Sequence, residues 1–253
     1  MSLLSRYSVG IRASALSFFR EPLNLALLVV LPAASIHIFG VAYGQFPEFG
    51  FLDLPASLDT TARITGATFA TGTLAGVLGL FQLISARDAD HRLSICGFPA
   101  LDLLVSRFAT LVVISLVIAG VSTLTLVGLL AEPVASPLFV FTGLTLVGVI
   151  YAMLGMLVGA VLPRALEGSL SLVILADMDN VIASGIFPIQ DRITQLSPTT
   201  HAHEVVSRAV LDGELASGEL LPALTIVAVL SSLAVLAYTH TVKPVATGVS
   251  RNE

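Results

Sequence analysis

The sequence is short of charge, of lysine, of cysteine and of tryptophan, and the first three shortages each exclude a class of function. Asp, Glu, Lys and Arg make up 11% of its 253 residues, against about 25% in an average soluble domain. So little charge cannot cover a water-facing globular surface. Lys243 is the one lysine, and no GxxxxGK(S/T) pattern contains it, so this chain builds no P-loop and does not hydrolyse ATP itself. Cys96 is alone, which rules out an internal disulfide and leaves no companions for a cysteine zinc or redox motif. Acids outnumber bases by 17 to 12 with no basic patch, an arrangement that excludes nucleic acid as a partner. A dinucleotide fingerprint, a nucleophile elbow and a zinc-protease helix motif are also missing, so enzyme classes start low.

What is present is apolar. Hydrophobic residues make up 55% of the chain and the mean hydropathy is +0.94. A helical membrane span needs about 20 apolar residues, and the chain supplies several. The pattern predicts an all-α integral membrane protein, one transmembrane domain over residues 1–253, with six transmembrane helices at 23–43, 64–86, 108–130, 137–162, 169–189 and 220–242. Ahead of the first span, Leu4, Tyr7, Ile11, Ala15 and Phe18 recur at spacings of three and four, predicting an amphipathic helix lying in the membrane interface. Pro32 inside the first span predicts a kink. Small residues form stripes at Gly72, Ala75, Gly76 and Gly79 in the second span and at Gly148, Ala152, Gly155 and Gly159 in the fourth. Such stripes let helix backbones approach closely, here by default within the chain.

The fifth span is the exception. Asp177, Asp179 and Asn180 lie near its middle, and each central aspartate costs roughly 2.5–3.5 kcal/mol on the insertion scale, while the apolar residues of the span return only about 3–6 kcal/mol. This helix is not expected to insert facing lipid. Asp177 and Asn180, three apart, share a helix face while Asp179 points elsewhere. Because intramembrane acids mark wet cavities, substrate paths or buried pairings, Asp177, Asp179 and Asn180 are the translocation-path candidates.

Beyond it, residues 190–219 form a long outer connection in which Ala202, Val205, Val206, Ala209 and Val210 share one helical face, predicting a second amphipathic helix that lies in the membrane interface and is ended by Asp212 and Gly213. Glu204 and Arg208, four apart, can pair on its surface. His201 and His203 flank Ala202, and residues two apart on a helix point different ways, so they are read as exposed polar residues and no metal site is assigned.

Charge sets the topology. Arg6, Arg12, Arg20, Arg87, Arg92, Arg107, Arg164, Lys243 and Arg251 fall on one side of six spans, against Arg63, Arg192 and Arg208 on the other. Basic residues in short loops stay in the cytoplasm, which places both termini there. The polar interruption 87–107 is then a cytoplasmic loop, broken by Gly97 and Pro99, whose Leu93, Ile95, Phe98 and Leu101 suit lying on another protein.

Together the six spans, the start FREPLNLALLVVLPA, the loop ARDADHRLSICGFPALDLLVSR and the segment SGIFPIQDRITQLSPTTHAHEVVSRAVLDG resemble the permease subunits of type-2 ABC exporters. The resemblance covers nearly the whole chain. It implies an interfacial helix over residues 4–19, a coupling helix over 88–101 that docks on a separate ATP-binding subunit, and a re-entrant outer segment over 185–211. Asp88, Asp90, His91, Arg92, Leu93 and Phe98 are the implied coupling residues. It also implies a second permease copy or homologue, a cell-membrane location among lipid, and no cofactor in this chain, with ATP and magnesium held by the partner. The acidic run ADMDN, residues 176–180, departs from the apolar or small residues usual in that family, and Asp88 and Asp90 stand where a glutamate–glycine pattern is commoner. Two rivals remain open: a stand-alone carrier driven by an ion gradient through Asp177 and Asp179, against which no repeated halves are visible, and a membrane-embedded assembly or regulatory subunit.

Overall fold

The computed structural model describes residues 16, 18, 20–45, 57–95, 100–162, 164–186, 194–195 and 197–241, with only the backbone course given for 86–95, 100–103 and 239–241. Among the described residues all regular structure is helical: α1 Pro22–Gly44, α2 Leu58–Ile95, α3 Ala100–Leu129, α4 Pro137–Val161, α5 Ala165–Ala183, α6 Thr200–Leu211 and α7 Ser217–Thr241. Five of them are long and apolar enough to cross a membrane: α1, the Leu58–Ser85 part of α2, the Leu104–Leu129 part of α3, α4, and the Ser217–Tyr238 part of α7. The protein is a multi-pass helical membrane protein.

Local sequence explains the helix ends. Proline stands at the start of α1 and of α4, where its missing N–H would have had no helical partner. Gly213, with φ +70°, closes α6, and Gly185, with φ +69°, follows α5. Glycine enters this left-handed region without the Cβ clash that other residues suffer. Pro32 lies buried within α1, which continues through it.

The bundle is organised on the crossing of α2 and α4. A methyl group on Gly155 would stand 1.9 Å from the Gly76 carbonyl oxygen, and one on Gly79 would stand 2.3 Å from the Ala152 oxygen. The two small-residue stripes therefore face each other, and backbone meets backbone with no side chain between. Around this seam α1 packs on α2 and α3, α5 on α2, α4 and α6, and α7 on α4 and α6. Arg63 closes one end. Its Nε donates to Asp59 at 2.8 Å and its Nη1 to the Leu129 carbonyl at the C-terminus of α3 at 3.2 Å, where a cation suits the helix dipole.

Several expected boundaries shift. The second span begins at Leu58 and its helix runs to Ile95, and the third begins at Ala100, so most of the interruption 87–107 is helix. Aspartate and arginine at 87–92 do not stop a helix once its apolar part has nucleated it. The fifth helix occupies Ala165–Ala183 rather than 169–189. Because it carries Glu167, Asp177 and Asp179, it is not among the five apolar enough to span. The interfacial helix before the first span lies almost wholly outside the described residues, and Phe98 and the side chains of Asp88, Asp90, His91, Arg92 and Leu93 lie outside them too.

The amphipathic helix α6 is placed differently from expectation. Ala202, Val205, Val206 and Ala209 are fully buried inside the protein. The Ala135 and Ser136 amides donate to the Val210 and Ala209 carbonyls, Gly143 lies against Val206 and Val205, and Ala202 packs with Val147 and Tyr151. So α6 runs antiparallel along the first half of α4, with its apolar face against that helix. An amphipathic pattern specifies that one face is buried and does not name the surface that buries it.

Candidate functional site

The acidic run of α5 divides as the helix turns. Asp179 and Asn180 are each only 4% exposed, whereas Asp177 is half-buried on the outer side of the helix. The expectation that Asp177 and Asn180 share a face apart from Asp179 is therefore corrected. Because α5 is wedged between α2 on one flank and α4 with α6 on the other, its buried arc is wide enough to hold both 179 and 180, and position 177 falls outside it.

Asp179 faces α4 and the start of α6. Its carboxyl oxygens accept hydrogen bonds from the Tyr151 hydroxyl at 2.7 Å, from the Thr199 hydroxyl at 2.7 Å and from the Ser197 hydroxyl. Asn180 faces α2, where its Nδ2 donates to the Thr65 carbonyl at 2.7 Å and its Oδ1 accepts from the Thr68 hydroxyl. Two adjacent residues thus join α5 to α2, α4 and the turn before α6. Every one of these polar groups is partnered within the chain, as a low-dielectric interior requires.

The supporting residues follow from the helices that carry them. Thr61, Thr65 and Thr68 recur at spacings of four and three on α2 and are all buried, so they form one stripe. The ring of Tyr151 lies against Gly72 and Gly76, where a methyl group on Gly72 would stand 2.9 Å from it. The absence of side chains on α2 leaves room for that ring, and the ring carries its hydroxyl to Asp179. A few residues away, the Thr71 hydroxyl donates to Ser122 of α3 at 2.9 Å, and the Ser115 hydroxyl is buried with no hydrogen-bond partner among the described residues. Sequence reasoning passed over Tyr151, Thr65, Thr68, Ser197 and Thr199. The threonine spacing on α2 was the one available signal, since the other contacts bridge elements far apart in the chain.

The two histidines of α6 also differ from expectation. His201 Nδ1 lies 2.6 Å from Glu219 of α7. His203 is buried at 4% exposure, with Nε2 unpartnered among the described residues, and burial pushes its pKa down from 6.5 to about 4 because charging the ring would strand a cation away from water. Glu204 and Arg208 pair at 2.7 Å as expected, on a surface where such a pair has small energetic weight.

One further cavity, of about 120 Å³, opens between α1, α2 and α3, lined by apolar residues including Leu28, Leu74, Leu78 and Ile118. It is remote in sequence and chemistry from the Asp179 joint and adds no polar group to it. Compared with known proteins, the chain matches no family model and no curated protein.

Proposed function

We propose that this chain is the transmembrane permease subunit of an ATP-driven transporter resembling type-2 ABC exporters, coupling ATP hydrolysis in a separate subunit to substrate translocation. In this reading α5 is the sixth crossing. Its buried polar pair is tolerated because Asp179 and Asn180 are partnered inside the bundle, and both termini then lie on the cytoplasmic side of the cell membrane.

The observation that carries the reading is the length of α2. Its apolar part ends at Ser85, but the helix continues without interruption to Ile95 and is followed at Ala100 by α3. At 1.5 Å per residue the continuation reaches about 15 Å past the apolar part. Asp88, Asp90, His91, Arg92 and Leu93 ride on that projection. A rigid helical hairpin suits transmission of a push from a partner into the bundle, because a packed helix moves as a unit. ATP-driven closure of the partner would tilt α2, and the α2–α4 seam would carry the motion onward. The half-length α6, lying along α4 and beginning at the Asp179 joint, supports the re-entrant outer segment that the resemblance implies.

The ion-driven carrier gains less support. The Asp179 oxygens are occupied by three hydroxyl donors of the chain itself, an arrangement suited to a structural joint.

Purification of the tagged chain from its native membrane in mild detergent tests the proposal. An ATP-hydrolysing subunit should copurify and should be lost when Asp88 and Asp90 are both changed to Lys. A chain that emerges alone, without ATP turnover under several gentle conditions, would overturn it.

A further inference from the structure

The apolar cavity between α1, α2 and α3 has a floor, an open side and a charged end. Leu28, Leu74 and Ile118 form the floor and are buried, whereas Leu23, Leu27 and Phe81 stand exposed at its rim. It therefore opens sideways, onto the surface that α1 and α2 present to lipid. Leu74 and Phe81 lie seven residues apart on α2, so the cavity runs for about 10 Å along that helix. Its volume of about 120 Å³ and its lining, hydrocarbon but for Asn24, are those of a cavity that stays dry and accepts a small apolar guest.

Two arginines stand at one end of it. α1 runs antiparallel to α2, with Gly44 on Asp59, Gly40 on Arg63 and Ser35 on Gly66, and the same pairing continued brings Pro22, where α1 begins, to about the level of Leu80. Arg20 lies two residues before Pro22, exposed and with no ion pair among the described residues. Arg107 arrives from α3. It precedes Ile118 by eleven residues, three turns and about 20° of rotation, so the two share the face that lines the cavity. Its Nη1 donates to the Gln82 carbonyl at 3.0 Å, one residue past Phe81. The corner before α1 is fixed, since Asn24 Nδ2 donates to the Phe18 carbonyl at 3.4 Å and to the Glu21 carboxylate at 3.1 Å. Glu21 opposes the arginines, with its charge already held by that amide.

We propose that this cavity and its two arginines bind one anionic phospholipid, an acyl chain lying in the cavity and the phosphate against Arg20 and Arg107. An apolar lining with a few polar groups at one end is the usual make-up of a ligand pocket, and here its two parts match the two parts of a phospholipid. Guanidinium groups recognise phosphate oxygens by paired, charge-assisted hydrogen bonds. The occupant is a lipid because the opening faces hydrocarbon, and an amphipath with an anionic head fills the cavity and meets the arginines together. In the proposed topology this end is cytoplasmic, where anionic lipids attract basic residues near the surface. The site goes beyond the permease reading and needs only that α1, α2 and α3 lie in a membrane.

The test titrates the full chain in mild detergent with phosphatidylglycerol or phosphatidylcholine of identical acyl chains, and counts bound lipid by native mass spectrometry. Phosphatidylglycerol should be held more tightly. Arg20→Gln changes an exposed residue and should weaken phosphatidylglycerol binding about fivefold, the usual size for one basic residue at an anionic surface, with phosphatidylcholine unmoved. Val77→Phe fills the cavity from its lining and should abolish the binding of both, as should Leu27→Trp at the exposed rim, which keeps the test open if the first variant does not fold. Arg164→Gln, at an exposed arginine paired with Glu167 before α5, should change neither. Equal affinity for the two lipids, equal losses from Arg20→Gln and Arg164→Gln, or binding indifferent to the cavity variants overturns the site, as does retention there of an amphipath other than phospholipid. Copurification of an ATPase reads the permease proposal separately, so that either can fail alone.

Discussion

The α2–α4 seam and the α5 joint hold the same bundle together by opposite means. At the seam, stability comes from what is missing: glycines at 76, 79 and 155 let two backbones touch, so contact is made by dispersion over fixed main chain. At the joint it comes from what is added, since Asp179 and Asn180 would be costly in an apolar interior without their hydroxyl and carbonyl partners. The comparison teaches that a seam of this kind has no slack, whereas a polar joint can exchange partners. In the proposed permease function the seam would be the stiff element that carries displacement and the joint the place around which it turns.

The sharpest way to break the comparison is to add one methyl group at the seam. In Gly155→Ala the new Cβ would stand 1.9 Å from the Gly76 oxygen and 3.0 Å from the Leu80 amide nitrogen, and backbone on both sides leaves nothing flexible to yield. We expect destabilisation of about 3 kcal/mol or more, read by denaturant unfolding in mixed micelles. The same change at Gly128, which has nothing within 4 Å, should be neutral or stabilising by up to about 1 kcal/mol from helix propensity. Equal effects at the two sites would refute the seam.

At the joint, Asp179→Ala removes the acceptor of three buried hydroxyls. With about 1–3 kcal/mol for a buried group left unsatisfied, and partial relief as hydroxyls turn toward main-chain carbonyls, the expected loss is about 2–4 kcal/mol. Asp179→Asn retains an oxygen acceptor and should lose less. If the two variants were equally stable, the hydroxyl cage would not be holding α5.

Acid sharpens the comparison from outside the seam. His203 is buried neutral, with its pKa lowered from 6.5 to about 4. Between those values the unfolded chain binds a proton that the folded chain refuses, so stability rises with pH there. It should be complete above about pH 6.5 and fall as pH drops toward 4, by up to about 3 kcal/mol, given 1.36 kcal/mol per pKa unit. Because carboxyl groups titrate mainly below pH 5, the interval from about 5 to 6.5 belongs mainly to the histidines, and the contribution of His203 is the part of the slope that its replacement takes away. In that interval His203→Leu should flatten the slope while His201→Leu leaves the His203 part in place, and a slope unchanged by His203→Leu would assign it elsewhere.

What the sequence made legible follows the same division. Both small-residue stripes were visible as spacings, because a helix fixes which residues share a face regardless of its neighbours. The apolar runs of α1, α2, α3, α4 and α7 were visible for the same reason. The joint was legible only as an anomaly: Asp177, Asp179 and Asn180 stood out by cost, but which of them turned inward depended on the helices packed against α5. Tyr151 looked like an ordinary span residue, since its role requires the empty surface at Gly72 and Gly76, more than seventy residues earlier in the chain. His203 was read as exposed because its apolar neighbours Ala202, Val205 and Val206 were assigned to a membrane surface, whereas α4 is what they cover.

The smallest expected effect discriminates best between a joint that merely holds and one that also turns. Tyr151→Phe leaves the ring against Gly72 and Gly76 and removes only the hydroxyl, while Asp179 keeps Ser197 and Thr199 as donors. Packing at the seam is therefore unchanged, and the loss should be about 1–2 kcal/mol, the range for one buried hydrogen bond. If the joint only holds, transport by the folded fraction should match the parent protein once expression is normalised. If α5 and α6 shift against α4 during the cycle, Tyr151 is the one donor of the three supplied by the seam, and its removal should change the transport rate more than the stability loss accounts for. Transport assays in vesicles, beside unfolding of the same preparation, separate the two. A rate that tracks the folded fraction would make the joint a brace.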